Sequence, residues 1–471
     1  MTHADAVVLG GGPAGVGAAY RLARRGRRVV VLERGERVGG AAGSFDVGGL
    51  RVDHGSHRLH PSISPEVLAD LRALLGAELR RRPRHGRIRL VDRWVAFPLR
   101  AGDLVRHLPR RFAVRAGRDA ALAPLRRPRA ETYAEVLRAG LGPAICETFY
   151  FPYARKLWGL APEELSAEQA RRRVAARSPL ALLRKVVPRR TAADGNGGDG
   201  RWFWYPAAGF GAIVERLAEA AVAAGADVRC SSPVTAVRMP SADGADLAVV
   251  TADGDEVRAP LALSTVPLTA LARLADPPPP AAVQDAADTL RSRAMVLVYL
   301  VLDVDRWTAF DAHYLPGPET PVTRVSEPKN YRDSPDDPVG RTVLCAELPC
   351  AVGDDLWTGG DEALGALVAE GLGRLGLPPV RPVAVEVRRL PQAYPIYRLG
   401  WEESFAVLDG WAAAQRGLVT LGRQGLFAHD NTHHALAMAW AVADAVGDHA
   451  GFDEAAWSAA RRRFAAHVVE D

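Results

Sequence analysis

Residues 5–45 read DAVVLGGGPAGVGAAYRLARRGRRVVVLERGERVGGAAGSF and constrain the fold more than any other stretch. Ala6 to Leu9 is a short, apolar, β-branched run, the pattern of a parallel strand buried on both faces. It leads directly into Gly10-Gly11-Gly12-Pro13-Ala14-Gly15, a G-x-G-x-x-G turn. Gly10 permits the tight turn, Gly12 lets a pyrophosphate approach the backbone, and Gly15 lets the following helix pack close to the strand. Bound phosphates would meet that helix's N-terminus, where unpaired N–H groups and the helix dipole favour negative charge. A helix is predicted from Val16 to Arg25, ended by Gly26, then a second strand from Val29 to Leu32. Glu33 comes next, 23 residues after Gly10, where a carboxylate accepts hydrogen bonds from ribose hydroxyls. Together these features specify a dinucleotide-binding βαβ unit.

The residues after Glu33 narrow the ligand. Glu33-Arg34-Gly35-Glu36-Arg37-Val38-Gly39-Gly40 resembles the E-x-x-x-R-x-G-G signature of the flavin-containing amine oxidase superfamily. The resemblance implies FAD, not NAD, held by Gly10, Gly12, Pro13, Ala14, Gly15, Glu33, Arg34, Gly40 and Ala41. Ala41 departs from the pattern, because members often carry Arg or Lys there. Val52 to Leu59, VDHGSHRL, resembles the G-x-H or G-G-H-R segment of UDP-galactopyranose-mutase-like and protoporphyrinogen-oxidase-like flavoenzymes. By that resemblance His57 faces the flavin and is a catalytic candidate.

The bulk properties fit a large soluble enzyme. A chain of 471 residues, 48% of them hydrophobic, can build two or more cores. Its longest clean apolar run, Met295 to Leu302, is far below the roughly 20 residues that span a bilayer. The first strand begins at once, leaving no room for a cleaved signal, so a cytoplasmic location is expected. Cys146, Cys230, Cys345 and Cys350 lack C-x-x-C spacing, which points to buried thiols, with neither a disulfide framework nor a zinc site. The net charge of +5 conceals a local excess: Arg80 to Arg129 holds 16 arginines against Asp92, Asp103 and Asp119. Such a field suits an anionic or nucleotide-linked small molecule, or peripheral contact with a membrane surface. Nucleic acid is not expected, since no binding module accompanies the charge.

Pro65 to Gly76 has the periodicity of an amphipathic helix, and residues 100–190 turn helical, with Thr132 as a cap. Phe149 to Gly159, FYFPYARKLWG, resembles the Y-x-x-K-x-W-G segment of the protoporphyrinogen-oxidase-like group. Residues 191–200, TAADGNGGDG, read as a loop. A strand is expected over Val228 to Val237, and by resemblance Val234 meets the adenine. Asp253-Gly254 marks a hairpin, and the proline run at 277–280 a boundary. Strands are expected over Arg293 to Val304 and Thr342 to Glu347, with Lys329 in the loop between them. Many amine oxidases use a lysine to hold a water against the flavin, which makes Lys329 the catalytic candidate among three lysines. Near the C-terminus, Tyr394 and Tyr397 precede the strand Leu418 to Leu421, Gly422-Arg423, and Asn431-Thr432 at the start of an apolar helix. A glycine turn opening on a helix N-terminus aims N–H groups at a partly negative acceptor, and the segment resembles the group's closing flavin-contact motif. His429, His433 and His434 lack the spacing of a known metal site, so no metal is expected.

The expected fold is α/β: a Rossmann-like FAD-binding domain of the p-hydroxybenzoate-hydroxylase type with an inserted α+β substrate domain and a helical cap. Residues 1–99, 201–290 and 386–471 would form the FAD-binding domain, 100–200 the cap, and 291–385 the substrate sheet. Two chemistries remain open. One is hydride removal from a C–N, C–O or C–C bond at flavin N5, with His57, Lys329 and Tyr397 as catalytic candidates. The other is a non-redox sugar-nucleotide isomerisation in which reduced N5 is the nucleophile, the arginines with Tyr394 or Tyr397 holding a diphosphate.

Overall fold

The computed structural model describes residues 1–123, 126, 131–174, 202–240, 245–447 and 451–469. At its centre lies a five-stranded parallel sheet in the order Asp227–Arg229, Val29–Leu32, Ala6–Leu9, Ala262–Ser264 and Leu418–Thr420. Its strands come from three widely separated parts of the chain. All four residues of Ala6–Leu9 and of Val29–Leu32 are buried, as runs with no polar alternation require. One face packs on the helices Pro13–Ala23, Ala212–Ala223 and Thr432–Asp444 through Val16, Ile213, Leu217, Leu436 and Ala439. The other packs on a second sheet that contains the antiparallel strands Val234–Arg238, Leu247–Thr251 and Glu256–Ala259, and on helices that come after it.

The expected continuous strand over 228–237 is corrected here. Asp227–Arg229 belongs to the parallel sheet and Val234–Arg238 to the second sheet. Between them Ser231 takes a positive φ of 51°, and the N–H groups of Ser231 and Ser232 donate to the carbonyls of Gly35 and Glu33 at 2.8 Å. The apolar pattern hides this turn because Ser231, Ser232 and Pro233 end one strand just as the next begins.

A seven-stranded mixed sheet runs Ala384–Ile396, Arg291–Leu302, Thr342–Cys350, Arg324–Ser326, Ala312–Tyr314, Gly86–Leu90 and Arg93–Phe97. Its long strand Arg291–Leu302 is apolar over most of its length because both faces are covered. Val296, Val298 and Leu300 pack with Leu344, Leu348 and Val368, while Leu297, Tyr299 and Val301 pack on the hairpin Ser44–Val47/Leu50–Asp53 through Val47, Leu50 and Val52. The hairpin over residues 86–97, expected in the first cofactor segment, pairs instead with this sheet, Arg87 and Ile88 lying in parallel register with His313 and Tyr314.

Helices Tyr133–Leu141, Phe151–Trp158 and Ala167–Arg173 share a core of their own built on Leu137, Leu141, Phe151, Leu157 and Trp158. Thr132 caps the first of them in a reciprocal box: its hydroxyl accepts the Glu135 N–H at 3.1 Å, and the Glu135 carboxylate accepts the Thr132 N–H at 3.2 Å. The stretch 191–200 lies outside the described residues. Cys146, Cys345 and Cys350 are buried, Cys230 is half-buried, and all four are free thiols. No helix among the described residues is long and apolar enough to cross a membrane.

Candidate functional site

The glycine turn is shaped by two different demands. A side chain at Gly15 would strike the Gly10 carbonyl oxygen, and one at Gly10, whose φ is +102°, would strike Thr265. Those two glycines serve the protein's own packing. Gly12 is different: its backbone is extended at φ −80°, ψ −177°, and an added Cβ there would meet no protein atom within 4 Å. The space over Gly12, at the N-terminus of helix Pro13–Ala23, is therefore open to a group from outside the protein, and a pyrophosphate would fit there.

The Glu33 carboxylate is fixed by main-chain donors, accepting from the Gly11 N–H at 2.6 Å and the Gly35 N–H at 2.8 Å. A carboxylate has about four acceptor positions, so two amides leave capacity for ribose hydroxyls. The Gly39 N–H donates to the Gly11 carbonyl at 2.8 Å, which ties the second glycine motif to the first. Arg34, Gly40 and Ala41 are exposed beside this turn, and Val234 lies half-buried beyond it. Gly422 arrives from the C-terminal segment with φ +76° and packs so tightly that a Cβ would lie 2.9 Å from that of Ala14. Gly10 to Gly15, Glu33, Gly40 and Gly422 thus converge, and Asn431 caps helix Thr432–Asp444, which packs on the first helix where Ala439 and Trp440 meet Gly17.

The His57 segment is clamped between the hairpin and the seven-stranded sheet. The Tyr299 hydroxyl donates to the Asp53 carbonyl at 2.6 Å, and the Ser56 N–H donates to Glu347 at 2.9 Å. Glu347 is in turn paired with Arg324 at 2.7 Å, and Arg324 also donates to the Ser56 carbonyl. Arg58 is buried against Asp311 at 3.2 Å and donates to the Tyr314 hydroxyl at 2.8 Å, so it anchors the segment from the far side. Beneath lies Asp53, 1% exposed, accepting from Ser44, Tyr205 and the Phe210 N–H at 2.6, 2.5 and 2.9 Å. Burial raises its pKa against the opposing pull of His57 and these donors.

His57 stacks on Phe210 at 5.1 Å between ring centroids and bonds through Nε2 to the His54 carbonyl at 2.9 Å. A carbonyl only accepts, so Nε2 carries the proton and Nδ1 of the neutral ring is an acceptor. Burial lowers the pKa of His57, opposed by Asp53, and takes His54 down to about 4, so both rings are neutral near pH 7.

Two expected catalytic residues are engaged elsewhere. Lys329 is buried, and its ammonium donates to Asp305, the Pro338 carbonyl and the Arg341 carbonyl at 2.7, 2.7 and 2.9 Å. All three protons are committed, which leaves none to hold a water. Tyr397 is 2% exposed, stacks on Trp401 at 3.8 Å and donates to the Phe427 carbonyl at 2.8 Å; burial pushes its pKa up, so it is a pillar of the core. Tyr394 has the more suggestive surroundings. Arg423 lies over its ring at 4.7 Å and Arg173 at 5.2 Å, and Trp158 meets it edge-on at 5.8 Å. Among the described residues neither arginine is ion-paired with a carboxylate; Arg423 donates to the Ala393 carbonyl and is drawn electrostatically to Asp430, while its Nε is buried without a hydrogen bond. His429, close by, is held neutral first by burial and then by these cations.

Asp430, His434 and His467 bring potential metal-ligand atoms within 4.8 Å of one another. Their two rings are stacked at 3.9 Å and 17°, so both Nδ1 atoms face the single oxygen Asp430 Oδ1, at 3.3 and 3.1 Å. His467 Nδ1 hydrogen-bonds that oxygen, while His434 Nδ1 also accepts the Asn431 N–H at 3.2 Å, so the ring nitrogens and the carboxylate are engaged with one another and with the main chain. Sequence reasoning missed the Asp53 network, the Glu347–Arg324 pair and the Arg173–Tyr394–Arg423 stack. Glu347 alone left a signal, as a single charge within the apolar strand TVLCAELPC.

Comparison with known proteins agrees with this geometry. Over 70 residues the chain is 46% identical to (S)-6-hydroxynicotine oxidase of Paenarthrobacter nicotinovorans, and over 73 residues 41% identical to phytoene dehydrogenase of Streptomyces griseus. These matches span 14% and 16% of this chain and only 16% and 14% of those proteins, so they speak for a shared segment. Whole-chain likeness comes from solved structures. Reduced UDP-galactopyranose mutase superposes with a TM-score of 0.79 at 21% identity, covering 99% of this chain and 100% of that one. Putrescine oxidase bound to putrescine gives 0.62 at 19% identity, over 94% and 98%. At such identities the likeness establishes the fold, a Rossmann-like parallel sheet joined to a further mixed sheet. Residues 13–446, from the first helix past the Gly422 turn, match the model of the flavin containing amine oxidoreductases, and it is to this family that the chain belongs.

Proposed function

We propose that the protein is a FAD-dependent oxidoreductase that removes a hydride from a small anionic substrate. The observation that carries the reading is the pair of cations, Arg173 and Arg423, stacked on the Tyr394 ring without an ion-paired carboxylate among the described residues. Two neighbouring guanidinium groups that share only the attraction of Asp430 on Arg423, with no carboxylate paired to either, favour a carboxylate or phosphate on the substrate. The open space at Gly12, the oriented Glu33 and the exposed Gly40-Ala41 turn fit a dinucleotide cofactor. When bound, FAD supplies the hydride acceptor. The chain's own residues do the rest. Arg173 and Arg423 bind the substrate's charge, Tyr394 and Trp158 wall it from water, and His57 offers a neutral Nδ1 that can take a proton. The clamp of Tyr299, Glu347 and Arg324 fixes that imidazole's position.

A second reading is the non-redox isomerisation of a sugar nucleotide. The mutase superposition over 99% of the chain favours it, as do the same two cations, which suit a diphosphate. The two readings separate on the oxidation state that works. Anaerobic enzyme is incubated with acidic amines and alcohols and, separately, with UDP-hexoses, once oxidised and once reduced by dithionite. An oxidoreductase bleaches on its substrate without added reductant, and an acceptor restores the colour. Ring-contracted sugar product seen only in the reduced sample, with no bleaching by any amine or alcohol, would establish the second reading instead.

A further inference from the structure

Helix Arg110–Leu122, within the arginine-rich stretch, has no buried residue. Its one acid, Asp119, is turned into the protein, accepting from Arg126 at 3.2 Å and from the Ala144 N–H at 2.7 Å. That side is held tightly: Gly142 lies so close to the Asp119 Cβ that a side chain there would collide with it. Phe112, Ala116 and Ala120, half-buried, share the inward side. At 100° per residue, Arg110, Arg111, Val114, Arg115, Arg118 and Leu122 then occupy one outward sector of roughly 140°. Arg110, Arg111, Arg115 and Arg118 are exposed, and among the described residues only Arg115 has an acidic neighbour, Glu147 at a loose 3.6 Å. Val114 stands 71% exposed among them, and Leu122 38%.

We propose that this outward face docks the protein on an anionic lipid bilayer. Four guanidinium groups match a sheet of phosphate headgroups, while Val114 and Leu122 sit where short aliphatic side chains enter the headgroup–acyl boundary. A polyanion such as a nucleic acid duplex would use the charges and gain nothing from the valine. The single inward acid explains how the helix is fastened without neutralising the outer face. This inference is independent of the catalytic reading, because no residue of the helix belongs to the candidate site.

The test is co-sedimentation of the purified full chain with vesicles of phosphatidylcholine, with and without phosphatidylglycerol. Binding is expected only with phosphatidylglycerol, and it should fall as salt shortens the range of the charges. The triple variant Arg111→Glu/Arg115→Glu/Arg118→Glu should weaken partitioning roughly 100-fold or more, each basic residue near an anionic surface contributing about fivefold. Val114→Ser should weaken vesicle binding severalfold while leaving binding to heparin unchanged. Circular dichroism melts superimposable on wild type show that these exposed substitutions leave the fold intact. Absence of binding at low salt, equal binding by the triple variant, or indifference to Val114→Ser would each overturn the proposal, the last pointing to a soluble polyanion as the partner.

Discussion

Gly12 and Gly15, neighbours in one turn, should respond to the same substitution in opposite ways. Gly12→Ala places a methyl in open space on extended backbone, so the apoprotein should keep its stability or gain about 0.4–1 kcal/mol as the unfolded chain loses freedom. Gly15→Ala drives its methyl into the Gly10 carbonyl oxygen and to 3.0 Å from Val8 Cγ1. A main-chain atom between a buried strand and its helix cannot step aside, so the cost should be about 3 kcal/mol or more. For cofactor binding the ranking reverses. Gly12→Val fills the space the pyrophosphate needs, and overpacking of ~1–3 kcal/mol weakens FAD by roughly 5- to 150-fold. Apoprotein melts followed by circular dichroism read the first quantity, and quenching of flavin fluorescence on titration reads the second. FAD affinity unchanged in Gly12→Val, or an apo melt unchanged in Gly15→Ala, would refute the division of roles.

Replacing His57 by Ala should leave FAD bound and slow flavin reduction in a stopped-flow trace by about 10- to 1,000-fold, the range of positioned acid–base groups; an unchanged rate would remove His57 from the chemistry. Lys329→Met should cost about 1–3 kcal/mol of stability, by stranding the Pro338 and Arg341 carbonyls, without altering that trace. His313, 3% exposed and ringed by Trp94, Trp307 and Phe310, has its pKa lowered to about 4, first by burial and then by Arg87. Its contribution is complete above the unfolded value near 6.5 and is lost as pH falls toward about 4, because the unfolded ring takes up a proton that the native ring refuses. The full span is on the order of 3 kcal/mol, so urea melts at pH 7.5 and 5 should show a pH difference that shrinks in His313→Phe; an undiminished difference would place the acid sensitivity elsewhere.

The parts of this protein governed by local rules were legible in its sequence. The buried run at Ala6, the glycine turn, Glu33 and the Thr132 cap each arise from a short stretch whose backbone demands are written in its residue types. What was not legible depends on partners far apart in the chain. Lys329 and Tyr397 look like chemistry from sequence because nothing near them announces Asp305 or the Phe427 carbonyl. Arg173 and Arg423 are two arginines among many until folding sets both on one tyrosine ring. The break at Ser231 was hidden for a simpler reason: two strands of different sheets stand in sequence with only a short polar turn between them.

The central claim is that this cradle holds FAD, and the most direct measurement is to denature the purified protein and identify and count the released nucleotide by chromatography. One FAD per chain is expected from a yellow protein, with a lower flavin content in Gly12→Val. Stoichiometric NAD in place of flavin, or a Gly12→Val protein as yellow as wild type, would contradict it.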